Sequence, residues 1–132
     1  MALQQREVYI AAGSANIGDV DVASFPVVAM TNATGTAASS GDNTIVAAPA
    51  AGNRLVIHEL QIQLEAATAT TILIKSGSTT IRRLYAGSQG DGILLQPDPG
   101  KEIRLGAAEA LVLNLSGANS VGYSVRYTTE AV

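Results

Sequence analysis

His58 is the only imidazole in the chain, and there is no cysteine. These two facts narrow the chemistry before any fold is considered. A thiolate nucleophile, a thiolate metal site and a disulfide frame all need cysteine. A Ser–His–Asp site needs its histidine at a cleft, with a hydrogen-bonded acid behind it. His58 sits instead inside an alternating run, on the apolar parity, with Glu59 expected to point the other way; it reads as a core or interface histidine. One histidine also cannot supply a metal triad. The acids Asp19, Asp21, Asp42, Asp91, Asp98 and Glu102 fall at no calcium-loop spacing. The closest approach, Asp19 and Asp21, reads as a solvated turn. Residues 87–92, Gly-Ser-Gln-Gly-Asp-Gly, are rich in glycine. A phosphate-cradling loop also needs a following Lys-Ser or Lys-Thr and an opening helix, and neither follows, so the segment reads as a flexible turn. A pair of glycosidase carboxylates is not excluded by spacing, but sugar sites usually carry aromatic platforms and this chain has no Trp. The residues therefore predict no catalytic group, no metal and no cofactor.

The elements that would position these groups are organised around residues 54–75. Val56, His58, Leu60, Ile62 and Leu64 share one parity, and Gln61, Gln63 and Glu65 take the other toward the end. A period of two over this length predicts a half-buried strand. Residues 71–75 are β-branched and apolar, as strands prefer, and residues 66–70 are small. The expectation is a long antiparallel hairpin with one face on the core. A second hairpin of the same plan is expected over 110–128. There Leu111, Leu113 and Leu115 alternate with polar or smaller residues, and Val121, Tyr123, Val125 and Tyr127 share one face.

The remainder reads as short strands and turns. Residues 1–24 read as an extended N-terminal arm with one short strand over 6–10. Residues 25–30 form a second short strand, and 31–42 a twelve-residue loop of Thr, Asn, Ala, Gly and Ser. Strands follow over 43–48, 79–86, 93–96 and 101–105, with turns at 49–52, 76–78 and 97–100. Eight to ten short strands at this spacing, without a convincing helix, predict an all-β antiparallel sandwich. A jelly-roll-like arrangement would use both hairpins, as one domain over 25–132 behind the arm.

Composition bounds the partners. The chain has 132 residues, enough for one domain with its own core. Only 14% are charged, against about 25% in ordinary soluble chains. Low charge marks the core of interfaces, so surfaces buried against other subunits are expected. The formal net charge is −3, and Lys and Arg are scattered, with Arg82 and Arg83 the one adjacent pair. That is no basic stripe for phosphates, so direct nucleic-acid binding is not expected. No run approaches the roughly 18 apolar residues of a membrane helix, and the first residues do not read as a signal peptide. No membrane partner is expected.

Four segments carry a family resemblance. They are 50–57 (Ala-Ala-Gly-Asn-Arg-Leu-Val-Ile), 75–80 (Lys-Ser-Gly-Ser-Thr-Thr), 107–116 (Ala-Ala-Glu-Ala-Leu-Val-Leu-Asn-Leu-Ser) and 120–127 (Ser-Val-Gly-Tyr-Ser-Val-Arg-Tyr). The chain from about residue 43 to 128 resembles small β-sandwich proteins of tailed-phage structural modules, the capsid decoration or cement proteins. The resemblance implies a homotrimer on the outer face of the head, bound to the major capsid protein, with no enzyme activity and no cofactor. Assembly in the host cytoplasm follows from it. Candidate capsid or neighbour contacts are Arg6, Val8, Tyr9 and Ile10 in the arm, and Asn32 and Thr34. Leu55 and Ile57, apolar opposite Val56, are candidates with His58 for a trimer interface. A receptor- or carbohydrate-binding module of a fibre or tail is the rival expectation. Its ligand surface would be formed by the loops 31–42, 87–92 and 97–100.

Overall fold

Residues 29–132 are described by the structure, a computed structural model. Nine strands follow one another: β1 (Thr31–Ala37), β2 (Gly41–Val46), β3 (Asn53–Leu64), β4 (Thr70–Ser76), β5 (Thr79–Ala86), β6 (Gly92–Leu95), β7 (Ile103–Arg104), β8 (Leu111–Leu115) and β9 (Val121–Ala131). No helix occurs among the described residues. The strands form two antiparallel sheets. One has the order β1-β9-β3-β6, with β7 also paired to β3, and the other has the order β2-β8-β4-β5. The expected arm, with its short strand over 6–10, lies outside the described residues. So does most of the expected strand over 25–30; Ala29 and Met30 are not in a strand.

The core lies between the sheets, and the period-two pattern explains who enters it. Leu111, Leu113 and Leu115 of β8 and Ile72 and Ile74 of β4 face Val121 and Val125 of β9, all essentially inaccessible. Full burial of such a side chain contributes about 1.5–3 kcal/mol. Tyr123 and Tyr127 are half-buried against this core, on the face their alternation predicted.

The long strand β3 does not keep one parity. Leu55 and Ile57 point inward, and so do Leu60, Ile62 and Leu64. The register against β9 shifts between Ile57, opposite Tyr127, and Glu59, opposite Arg126. His58 is the extra residue of a β-bulge, which shifts the alternation by one. The run of apolar residues on both parities therefore reflects a phase change within one strand. Leu55 and Ile57 are 2% and 1% exposed inside the sandwich. They have no surface to offer another subunit, which corrects their placement at a trimer interface.

The two expected hairpins are also corrected. β3 belongs to the first sheet and β4 to the second, and β8 and β9 are divided in the same way. Each pair is a corner that crosses the core. Alternation reports which face of a strand is buried, and this is the same whether the next strand is a hydrogen-bonded neighbour or lies about 10 Å away across the core. The hairpin made by consecutive strands within one sheet is β4–β5, turned by Gly77 at φ 55°.

The expected loop 31–42 is mostly strand. β1 pairs with β9 along its whole length, from Thr31 opposite Tyr127 to Ala37 opposite Val121. Its inward positions, Ala33, Gly35 and Ala37, are small because β9 supplies the bulk. A Cβ on Gly35 would stand 2.8 Å from the Tyr123 hydroxyl. The core signal is thus weak in β1, and its ladder hydrogen bonds go to a strand far along the chain.

Candidate functional site

The outer face of the β1-β9-β3-β6 sheet gathers three of the sequence-predicted residues. Asn32 and Thr34 lie opposite Arg126 and Ser124 of β9, on the outward parity. His58, put outward by the bulge, stands farther along the same face. Its Nε2 is 2.9 Å from Thr128 Oγ1. His58 is thus half-buried on a sheet face rather than in the core, and it shares a depression with Glu59 instead of opposing it.

At one end this face is polar and almost uncharged. Thr34, Thr36, Gln61, Gln63, Glu65 and Ser124 surround a shallow trough of about 320 Å³. Its floor is Gly122, where an added Cβ would collide with the Glu65 carboxylate. Thr36 Oγ1 reaches Glu65 Oε1 at 3.5 Å, and Gln63 Nε2 donates to Gly90 O at 3.2 Å. Glu65 has no cation partner among the described residues. The trough therefore offers hydroxyls, carboxamides and one carboxylate, with Tyr123 the one aromatic in its lining.

The Gly87–Gly92 segment walls this end and is tied down rather than free. Asp91 Oδ2 accepts from Gly87 N and Ser88 N at 2.9 and 3.0 Å. Gly90 N donates to Leu64 O, and Gln89 Nε2 to Glu65 O, at 2.8 and 2.9 Å. The expected turn is present, closed by the aspartate and anchored by its backbone to the end of β3.

At the other end the face carries ion pairs. Arg126 Nη1 meets Glu59 Oε1 at 3.0 Å. Glu130 accepts from Arg54 Nε at 2.7 Å and Arg104 Nε at 3.1 Å. The Arg54 hydrogen bond, helped by Arg104, holds the Glu130 carboxyl below its usual range. Glu102 is lowered first by the Gly100 N–H, 2.8 Å away, then by its own N–H, with smaller help from the charges of Arg104 and His58. Val56 faces outward here yet is 2% exposed, set between Arg104 and Thr128 in the pleat. On the opposite sheet Asp42 is lowered by a hydrogen bond from Asn114 and then by Lys75, 3.0 Å away.

What this arrangement can do is bind and orient. The His58–Thr128 contact has the first half of a nucleophile–base pair, but the base needs a third group to orient it. The nearby Glu102 carboxylate is engaged by Gly100 N–H and Arg104. Among the described residues no group of three or more His, Asp or Glu side chains could hold a metal ion. No described helix is long and apolar enough to cross a membrane. The predicted contacts Arg6, Val8, Tyr9 and Ile10 lie outside the described residues.

Sequence reasoning missed the trough, because Gln61, Gln63, Thr36 and Ser124 come from three strands and each alone is an ordinary outward residue. It also missed a charge segregation. Lys and Arg look scattered along the chain, yet the fold brings Arg82, Arg83 and Lys101 to one edge. No protein-family model matches the chain, and no curated protein matches it.

Proposed function

We propose that this chain is a virion structural protein of a tailed phage, a jelly-roll sandwich that binds the major capsid protein on the outside of the head and stabilises the shell, as a trimer. The observation that carries the reading is the strand order. With the two-residue β7 set aside, β1-β9-β3-β6 packs over β2-β8-β4-β5. Successive strands then cross between the sheets at every connection except the β4–β5 hairpin, and β5–β6 makes its crossing at the edge. This order supports a jelly-roll reading, an architecture used in viral capsid and lectin domains. The four segments that resemble decoration proteins fall on its central strands β3, β4, β8 and β9, on the turns beside them and on the first two residues of the edge strand β5. The low charge of the chain suits a subunit that covers neighbours. In this reading the protein turns over no substrate and needs no cofactor. Asn32 and Thr34 remain candidate contacts on the outward face of β1, and His58 remains the one candidate trimer contact of the original three.

The test is co-sedimentation with shells that lack the protein, its oligomer size being set by light scattering. Saturable binding of a trimer, with shells that then withstand more heat, is expected. A monodisperse protein that leaves shells unbound and unprotected overturns the reading.

A second reading is favoured by the polar trough. Hydroxyls and carboxamides around Gly122 suit a neutral polyhydroxyl ligand, as in a receptor- or carbohydrate-binding module of a fibre or tail. The ligand surface would then be a sheet face, to which 31–42 contributes Thr34 and Thr36 and 97–100 contributes nothing. Glycan-array binding lost in Gln61→Ala and Gln63→Ala, together with indifference to shells, selects this reading.

A further inference from the structure

Of the described cations, Arg54, Lys75, Arg104 and Arg126 are in ion pairs. Arg82, Arg83 and Lys101 are in none among the described residues, and all three lie on the edge where β5 and β6 close the sandwich. Arg82 and Lys101 border one depression of about 220 Å³, walled by Leu94, Leu95, Pro97 and Ile103. Arg83 lies on the other face of β5 from Arg82, outside this depression, and shares that outer face with Tyr85. Tyr85 and Leu94 are 69% and 52% exposed. Asp91, in the turn after β5, is taken up by backbone N–H groups, so Asp98 is the one acid of these turns that no described side-chain hydrogen bond or ion pair engages.

We infer that this edge docks an acidic, partly apolar segment of a partner protein, its carboxylates on Arg82, Arg83 and Lys101 and its apolar side chains on Leu94 and Tyr85. Charge complementarity carries the inference, since the uncommitted positive charge of the described residues lies along one edge of the sandwich, with Arg82 and Lys101 in its depression and Arg83 on the outer side of the edge strand. Tyr and Arg are also the residues enriched at binding hot spots. Naming the partner as the capsid protein rests on the reading above; the chemistry of the site does not.

A plainer role for charged residues on edge strands is to block unwanted strand pairing. Glutamate blocks pairing as well as arginine does, but it repels an acidic partner. The experiment therefore uses the full chain and the charge-reversed variant R82E/R83E/K101E, with Tyr85→Ala as a second variant. Two probes are used: capsid shells, and a short peptide of glutamates and leucines followed by backbone NMR shifts, with its lysine counterpart as control. The glutamate peptide is expected to shift Arg82, Leu94, Leu95 and Ile103, with the effect fading as salt is raised, and the lysine peptide to leave them unmoved. The charge-reversed variant stays folded and monodisperse but binds both probes at least about a hundredfold more weakly, the size of a like-charge clash. Tyr85→Ala weakens binding about tenfold. Peptide shifts elsewhere, no shifts, or a charge-reversed variant that binds as well as wild type overturns the inference. Concentration-dependent self-association through this edge also overturns it. Wild-type binding to the peptide without binding to shells sinks the capsid reading and leaves the edge standing. Shell binding that survives charge reversal does the opposite.

Discussion

Gly92 is a position where one added methyl group has nowhere to go. A Cβ there would run into the backbone carbonyl of Ile62, across the β3–β6 ladder. A backbone oxygen cannot rotate aside as a side chain can, so Gly92→Ala must push β6 off β3. A loss of about 1–3 kcal/mol is expected, the range for overpacking, measured by urea unfolding. Leu113→Ala tests the core between the sheets. Its side chain is 0% exposed, and the truncation is expected to remove about 2–5 kcal/mol. Gln61→Ala on the outer face is expected to stay within about 0.5 kcal/mol of wild type. Much of this scale was legible in the sequence. The inward Leu111, Leu113 and Leu115 follow from alternation alone. Gly35 and Gly92 could not be foreseen, because what crowds each of them comes from a strand remote in sequence.

The β-bulge at His58 sets the phase of the longest strand. Deleting His58 would regularise the ladder and leave Leu55, Ile57, Leu60, Ile62 and Leu64 all facing inward, because Ile57 and Glu59 already oppose consecutive residues of β9. The deletion is therefore expected to keep cooperative unfolding as followed by circular dichroism. His58→Ala keeps the bulge and loses one partly exposed hydrogen bond, so a change of about 0.5–1.5 kcal/mol is expected. A deletion that loses cooperativity while His58→Ala keeps it would show that the extra residue, and not the imidazole, matters. The sequence displays the phase change openly, as Leu-x-Ile-x-x-Leu-x-Ile-x-Leu from Leu55 to Leu64. It was mistaken for two buried faces because an apolar Val56 fills the gap. The strands themselves were mostly legible and their neighbours were not. Alternation carries no information on hydrogen-bond partners, and this is why two corners looked like hairpins. β1 escaped notice because its inward residues are Ala33, Gly35 and Ala37.

For the whole molecule, acid is expected to loosen both sheets. Asp42, Glu102 and Glu130 have carboxyls lowered from ordinary values of 3.8, 4.5 and 4.5. A lowered folded pKa means the unfolded chain binds the proton more readily. The contribution is therefore complete above the ordinary values and is lost as pH falls through the lower, folded ones. The thermal midpoint is expected to fall as pH drops below about 4.5. The double variant Asp42→Asn, Glu130→Gln should show a shallower fall, by differential scanning calorimetry. An equal slope in the variant would place the acid sensitivity elsewhere. At this scale the spacing of the alternating runs points to the all-β class, and composition to the low charge. The gathering of Arg82, Arg83 and Lys101 was illegible, because β5 and the β6–β7 connection become neighbours only when the sandwich closes.

The position of β9 between β1 and β3 has a consequence for the order in which the chain can fold. β1 has no other sheet partner, so its ladder stays open until some ninety residues later in the chain have been made. Until then β3 can pair only with the short β6 and β7, and its apolar residues await a cover. Pairings of such long range place a sandwich among folders of roughly milliseconds to seconds. During that wait the exposed strand edges can recruit a second chain as easily as their own β9. High expression at elevated temperature should therefore favour aggregation over slow but correct closure, and changes in β9 should be felt in folding yield before they are felt in stability.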